Sequence, residues 1–217
     1  MLGSVSQDEA KADFHGSLER MGVEKVDLIQ LHNLVEDDHW KEAMGRNGAL
    51  KAAVEARDEG LVDYIGVTGH GFSAPRSHIR SIREFEFTSV LLPYNWLLMQ
   101  EEHYRTDFEE LVALCVERNV AIQTIKSIAR RPWQSERRRT CWYETLEDQA
   151  DIDTAVAWVL ENPNVVLNTV GDIQVLPKVL ELVPKLLMAL RTGLSGRLGV
   201  RERLTEHAWS SRSSNAR

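Results

Sequence analysis

The chain has 217 residues, 43% of them hydrophobic, enough to bury a sizeable core as one domain. A formal charge of -7 and an isoelectric point near 5.5 argue against a nucleic-acid or membrane partner, because both demand a basic face that displaces counterions from phosphate. Two cysteines are too few for a disulfide framework, the opening MLGSVSQDEAK carries no export signal, and no stretch approaches the roughly 20 apolar residues of a membrane span, so a soluble, cytoplasmic chain is expected.

Ser6 with Glu9 fits a capping box and predicts a helix whose apolar stripe is Ala10, Phe14, Leu18 and Met21. A strand is predicted over Val26–His32, then a helix ending near Glu59 with Gly60 placed to close its last turn in the left-handed region. Tyr64–Thr68 and Ser89–Tyr94 read as the next strands, with Ser73 as an N-cap between them. Thr106 with Glu109 repeats the capping box ahead of a stripe of Phe108, Leu111, Val112 and Cys115, and Val120–Ile125 follows as a strand. Asp151 is a further N-cap candidate, Asn162 and Pro163 end that helix, and Val165–Val170 is the fifth strand. The leucine-rich segment from Val179 to Leu190 reads as an amphipathic helix, and residues 191–217 as a polar, flexible tail.

Five short apolar runs alternating with helices indicate repeated β-α units around a parallel sheet, either open and doubly wound or closed into a barrel. Polar residues gather at the C-terminal ends of the strands: His32 and Asn33, Thr68 to His70, Asn95, Lys126 and Ser127, and Gly171 with Asp172. Parallel α/β folds place their ligands along that edge. The glycines of GVTGHG lack the spacing of a dinucleotide fingerprint, the seven histidines have no zinc-ligand spacing, and no G-x-S-x-G elbow exists. No metal is expected.

The runs SLERMGVEKVDLIQLHNL (Ser17 to Leu34), YIGVTGHG (Tyr64 to Gly71), VLLPYNW (Val90 to Trp96), AIQTIKSIARRPW (Ala121 to Trp133) and NTVGDIQVLPKVL (Asn168 to Leu180) together resemble, in unbroken order, the later part of the aldo-keto reductase family. The resemblance implies a (β/α)8 TIM-barrel type of α/β fold, truncated to about five parallel β-α units in residues 1–190, with the chain beginning inside the family's third helix. It implies NADPH, with NADH as the alternative, and an aldehyde or ketone as small-molecule substrate. His32 takes the place of the histidine that orients the substrate carbonyl. Thr68 and Gly69 match the pair that holds the nicotinamide carboxamide, and Asn95 ends the sixth barrel strand, the family's nearby glutamine aligning with Leu91. Lys126, Ser127, Ile128 and Arg130 match the loop that wraps the pyrophosphate, and Gly171 and Asp172 open the last loop-helix unit.

The family's catalytic Asp, Tyr and Lys have no counterpart at matching positions, so impaired reduction is expected, with a non-catalytic nucleotide-binding or protein-interaction role as the alternative. Edge strands near Val26 and Val165 are expected to need a cover: the leucine-rich segment, a second copy, or a separately encoded N-terminal complement.

Overall fold

The computed structural model describes residues 1–3, 5–182 and 184. It divides the chain into two compact units, the first comprising Met1–Pro93 with Glu101–Gln123, the second Tyr94–Gln100 with the residues from Thr124 onward. Five strands form one parallel sheet, and the boundary between the units falls within its fourth strand.

The first unit contains α1 (Gln7–Met21), β1 (Val26–Leu31), α2 (Asp37–Ala43), α3 (Ala49–Asp58), β2 (Val62–Thr68), α4 (Ala74–Glu84), β3 (Ser89–Pro93), α5 (Glu102–Arg118) and the start of β4 (Ala121–Ile125). β1 pairs with β2 from Val26 opposite Val62 to Leu31 opposite Val67, and β2 pairs with β3 from Gly66 opposite Ser89. Both pairings are parallel, as strands joined by helices must be. Gly66 lies against β3 so closely that a Cβ would stand 2.3 Å from Ser89 Oγ, which fixes glycine at that position. Ala10, Phe14 and Leu18 bury the inner face of α1 as expected, whereas Met21 is 57% exposed because the helix stops there, its end closed by the left-handed Gly22. α1 packs on α3, whose buried row of Ala49, Ala52, Ala53 and Ala56 carries side chains small enough for close approach. Gly60 adopts φ 76° after α3, as its position predicts.

Ser6 and Glu9 bond to each other, Oγ to Oε2 at 2.9 Å, instead of capping backbone N–H groups. α5 begins at Glu102 and not at Thr106; its first turn is held because the Tyr104 hydroxyl donates to the carbonyl of Pro93. The chain does not begin inside a helix: Leu2 lies alongside Leu31 in parallel, its N–H donating to Gln30 O at 2.9 Å and its carbonyl accepting His32 N–H at 2.8 Å. Part of the β1 edge expected to lie open is thus covered by the chain itself.

The second unit holds the end of β4, a hairpin of β5 (Ala129–Pro132) and β6 (Tyr143–Thr145), then α6 (Gln149–Leu160), β7 (Val165–Leu167) and α7 (Leu176–Leu180). Thr124 joins β4 to β7, its carbonyl accepting Asn168 N–H at 2.8 Å, and the sheet order is β1-β2-β3-β4-β7. The hairpin corrects the reading of this stretch as one loop: Ala129 pairs antiparallel with Thr145 and Pro132 with Tyr143. Asp148, not Asp151, caps α6, its carboxylate accepting the N–H groups of Ala150 and Asp151. β7 stops at Leu167, three residues before the predicted end. Ile128, Leu146, Ile152, Val156, Val170 and Val179 form the core of this unit, and Tyr94 packs on Trp158 with ring centroids 4.7 Å apart. The predicted helix to Leu190 beyond residue 184 and the tail 191–217 lie outside the described residues.

Candidate functional site

Strand ends in the first unit converge through Asn33. Directly after His32 the chain turns at Asn33 with φ 55°, a left-handed conformation that asparagine tolerates better than most residues. Its N–H donates to Thr68 Oγ1 at 2.9 Å, its Oδ1 accepts the N–H of His70 at 3.0 Å, and Leu34 N–H donates to Thr68 O at 3.0 Å. The ends of β1 and β2 are thereby tied together, and the imidazoles of His32 and His70, both half-buried, meet edge to face with centroids 5.9 Å apart. Thr68 is fully buried and its hydroxyl already accepts from Asn33. Gly69 donates its N–H to Leu91 O at 2.9 Å, and a Cβ there would lie 3.0 Å from each of Ala74 Cβ, His78 Cε1 and Val35 Cγ1. Thr68 and Gly69 thus leave no free polar side chain in this turn, and the partly exposed side chains beside them include His32 and His70.

His78 supports the turn from below. It is fully buried on α4, with Nε2 3.0 Å from Leu91 O, so the tautomer carrying its proton on Nε2 is the one the carbonyl selects. Burial, aided by the charge of His70 and opposed by the Leu91 bond, pulls its pKa down to about 4. It is neutral under ordinary conditions. Its Nδ1 has no partner among the described residues.

In the second unit, Asn95 uses both ends of its carboxamide: Nδ2 donates to Lys126 O at 3.0 Å and Oδ1 accepts Leu98 N–H at 3.0 Å. Lys126 follows β4 with φ 63°, and its ammonium lies 5.9 Å from the ring centroid of Tyr143. Burial lowers the Lys126 pKa and raises that of Tyr143. Ser127 is buried, and Ile128 packs into the core with its carbonyl accepting Leu146 N–H at 2.9 Å. Arg130 lines a cleft of about 480 Å³ formed by the hairpin. Gly171 accepts a long bond of 3.4 Å from Thr140 Oγ1. Asp172, 1% exposed, occupies the turn ahead of α7, where Oδ1 accepts Gln174 N–H at 2.9 Å and Oδ2 has no partner among the described residues. A buried carboxylate at that turn disfavours a phosphate there.

Sequence reasoning did not single out His78, Thr145 or the clamp role of Asn33. His78 falls on the buried stripe of α4 with Ala74 and Ile82, so its burial was readable from the helical period; its acceptor, Leu91 O, was not. Among the described residues no group of three or more His, Cys, Asp or Glu is arranged to hold a metal, and no helix is long and apolar enough to cross a membrane.

Residues 2–141 match the profile of the aldo/keto reductase family. No curated protein matches the chain. Among solved structures it is similar to PA4992 of Pseudomonas aeruginosa, assigned to the aldo-keto reductases (15% identity, TM-score 0.59, 82% of this chain and 56% of that one). It is also similar to the aldo-keto reductase AKR11C1 of Bacillus halodurans in its holo form (20%, 0.57, 82% and 62%). A third likeness is to the Bombyx mori aldo-keto reductase AKR2E4 in complex with NADP (14%, 0.53, 84% and 60%). These likenesses establish the fold, a parallel α/β sheet of the TIM-barrel kind, and the chain spans about three fifths of the length of the structures it matches.

Proposed function

Because the chain belongs to the aldo/keto reductase family, we propose that it binds a nicotinamide dinucleotide, NADPH in preference to NADH, and presents to it an aldehyde or ketone in a reducing cytoplasm. When bound, the nicotinamide supplies or accepts hydride. The residues present fit such a group. Lys126 and Arg130 offer cations, and Ser127 a hydroxyl, to phosphate oxygens. Asn95 holds Lys126 in place through its carbonyl. The buried free thiols Cys115 and Cys141 accord with a reducing compartment.

His32 orients the substrate carbonyl by donating a hydrogen bond to its oxygen, and the observation that carries this is its placement: directly after β1, backbone N–H fixed by Leu2 O, ring set against His70. Thr68 and Gly69 serve the carboxamide through the shape of their turn, since the Thr68 hydroxyl is occupied. A phenolic proton donor is missing from the first unit. Tyr104 gives its hydroxyl to Pro93 O, and Tyr64 lies in the body of β2 opposite Leu28. Losing a positioned acid costs about 10²- to 10⁴-fold in rate, so this chain binds cofactor better than it turns it over. A second copy or an N-terminal complement pairing along the rest of the β1 edge is the expected partner.

The test is a titration of the purified chain with NADPH and NADH, followed by nicotinamide fluorescence, beside an assay of aldehyde reduction. Saturable binding with slow turnover supports the reading; turnover at the rate of ordinary family enzymes contradicts the missing acid, and absence of binding contradicts the cofactor assignment.

A further inference from the structure

The segment ahead of α1 is tied to the start of α3 through one turn. Gln7 N–H donates to Asn47 O at 2.9 Å, Ala49 N–H donates to Val5 O at 2.8 Å, and Ser6 bridges Gly48 antiparallel between them. Gly48 is buried, and a Cβ on it would stand 2.1 Å from Glu42 O and 2.3 Å from Ala43 O. Both are backbone atoms at the end of α2, which cannot yield as the tip of a side chain would, so no residue but glycine fits. Asn47, directly before it, is exposed, and no hydrogen bond engages its carboxamide among the described residues. It is the only asparagine in the sequence that is followed by glycine.

We propose that Asn47–Gly48 is a site of spontaneous deamidation, and that its conversion to isoaspartate unfastens the N-terminal segment from α3. With no side chain on Gly48 to hinder it, the Gly48 nitrogen attacks Asn47 Cγ: a C–N bond forms, the Cγ–Nδ2 bond breaks, and ammonia leaves with the amide proton. Water then opens the cyclic imide at either carbonyl to give aspartate or isoaspartate, so the sum is amide plus water to carboxylate plus ammonium. In the folded turn Gly48 N–H is held by Gly45 O at 3.0 Å, and the reaction advances each time the turn opens locally. Isoaspartate routes the main chain through Cβ and Cγ. The chain is lengthened by a methylene, and the carbonyl that accepts Gln7 N–H becomes a pendant carboxylate. A turn too tight for a Cβ on Gly48 cannot take up the added carbon, so it does not re-close. The conversion needs only water and draws on nothing in the cofactor reading.

The experiment ages the full chain in mildly alkaline buffer at body temperature. Beside it stand Asn47→Gln, whose longer side chain would have to close a larger and less favourable ring, and freshly prepared Asn47→Asp, which carries the charge without the added carbon. Peptide masses, with fragmentation that separates aspartate from isoaspartate, read the conversion, and amide hydrogen exchange reads the tie. Conversion is expected at Asn47 ahead of the other asparagines, largely to isoaspartate, and not in Asn47→Gln. In the converted fraction the Gln7 and Ala49 amides should exchange about tenfold or more faster, as the loss of a hydrogen bond at each implies, while fresh Asn47→Asp keeps wild-type protection. Asn47 that stays intact in the folded chain over a period that converts it in the urea-unfolded chain overturns the site. Converted protein with unchanged protection at Gln7 and Ala49, or fresh Asn47→Asp that exchanges there as fast as the isoaspartate form, overturns the unfastening.

Discussion

Protonating His78 should unlock the first unit in mild acid. The folded protein holds this imidazole neutral down to about pH 4, because burial penalises the cation, whereas the unfolded chain protonates it near 6.5. Between those values the unfolded state binds the extra proton, so stability is intact above pH 6.5, falls as the pH drops through the window, and levels off below about 4. About 2.5 pH units at roughly 1.4 kcal/mol each gives a full loss of about 3.5 kcal/mol, about 3 kcal/mol of it reached by pH 4. The ring is fully buried, so solvent screening does not reduce the figure. Other groups titrate in the same range, so the measured quantity is the difference between wild type and His78→Gln, whose amide can still donate to Leu91 O. Hydrogen exchange of β2 amides at a series of pH values reads the stability of this unit. The advantage of wild type over the variant should shrink by about 3 kcal/mol between pH 7 and pH 4. A difference that stays constant to within about 0.5 kcal/mol would refute the claim that a buried neutral imidazole supports the Thr68–His70 turn.

Replacing Thr68 by Val keeps the shape but removes the acceptor of Asn33 N–H; a loss of about 1–2 kcal/mol and of exchange protection at the Asn33 amide should follow, while Thr68→Ser retains that protection. Gly66→Ala should destabilise by about 1–3 kcal/mol or more in chemical denaturation, because its Cβ would meet Ser89 Oγ at 2.3 Å and Ser89 O at 2.9 Å. Cys115, buried in α5 with its thiol pushed up to about 12, should resist a thiol reagent at neutral pH in the native protein and react on unfolding; rapid native labelling would contradict the packing of α5.

The parallel sheet is legible because runs such as VDLIQLH and YIGVT are short and largely apolar and are separated by helical periods of three and four. The hairpin was not, since the residues Ala-Arg-Arg-Pro of β5 are charged and exposed, and their partners lie more than ten residues away across a basic connection. Leu2 escaped notice for a related reason: one residue carries no period, and its role depends on carbonyl and amide partners at Gln30 and His32. The strand-end residues His32, Thr68, Asn95 and Lys126 stood out by position. What each does with its polar atoms is visible only from their partners: the Thr68 hydroxyl and the Asn95 carboxamide are spent holding loops.

The proposed cofactor contacts are Lys126, Ser127, Ile128 and Arg130 after β4, with His32 proposed for the substrate carbonyl. Amide chemical shifts of the full chain, recorded as NADPH is added, locate the residues that meet the cofactor. Saturable shifts are expected at Lys126, Ser127, Ile128 and Arg130, and also at His32 and His70. Shifts absent there, or confined to α1, α3 and the outer helical faces, would contradict these contacts.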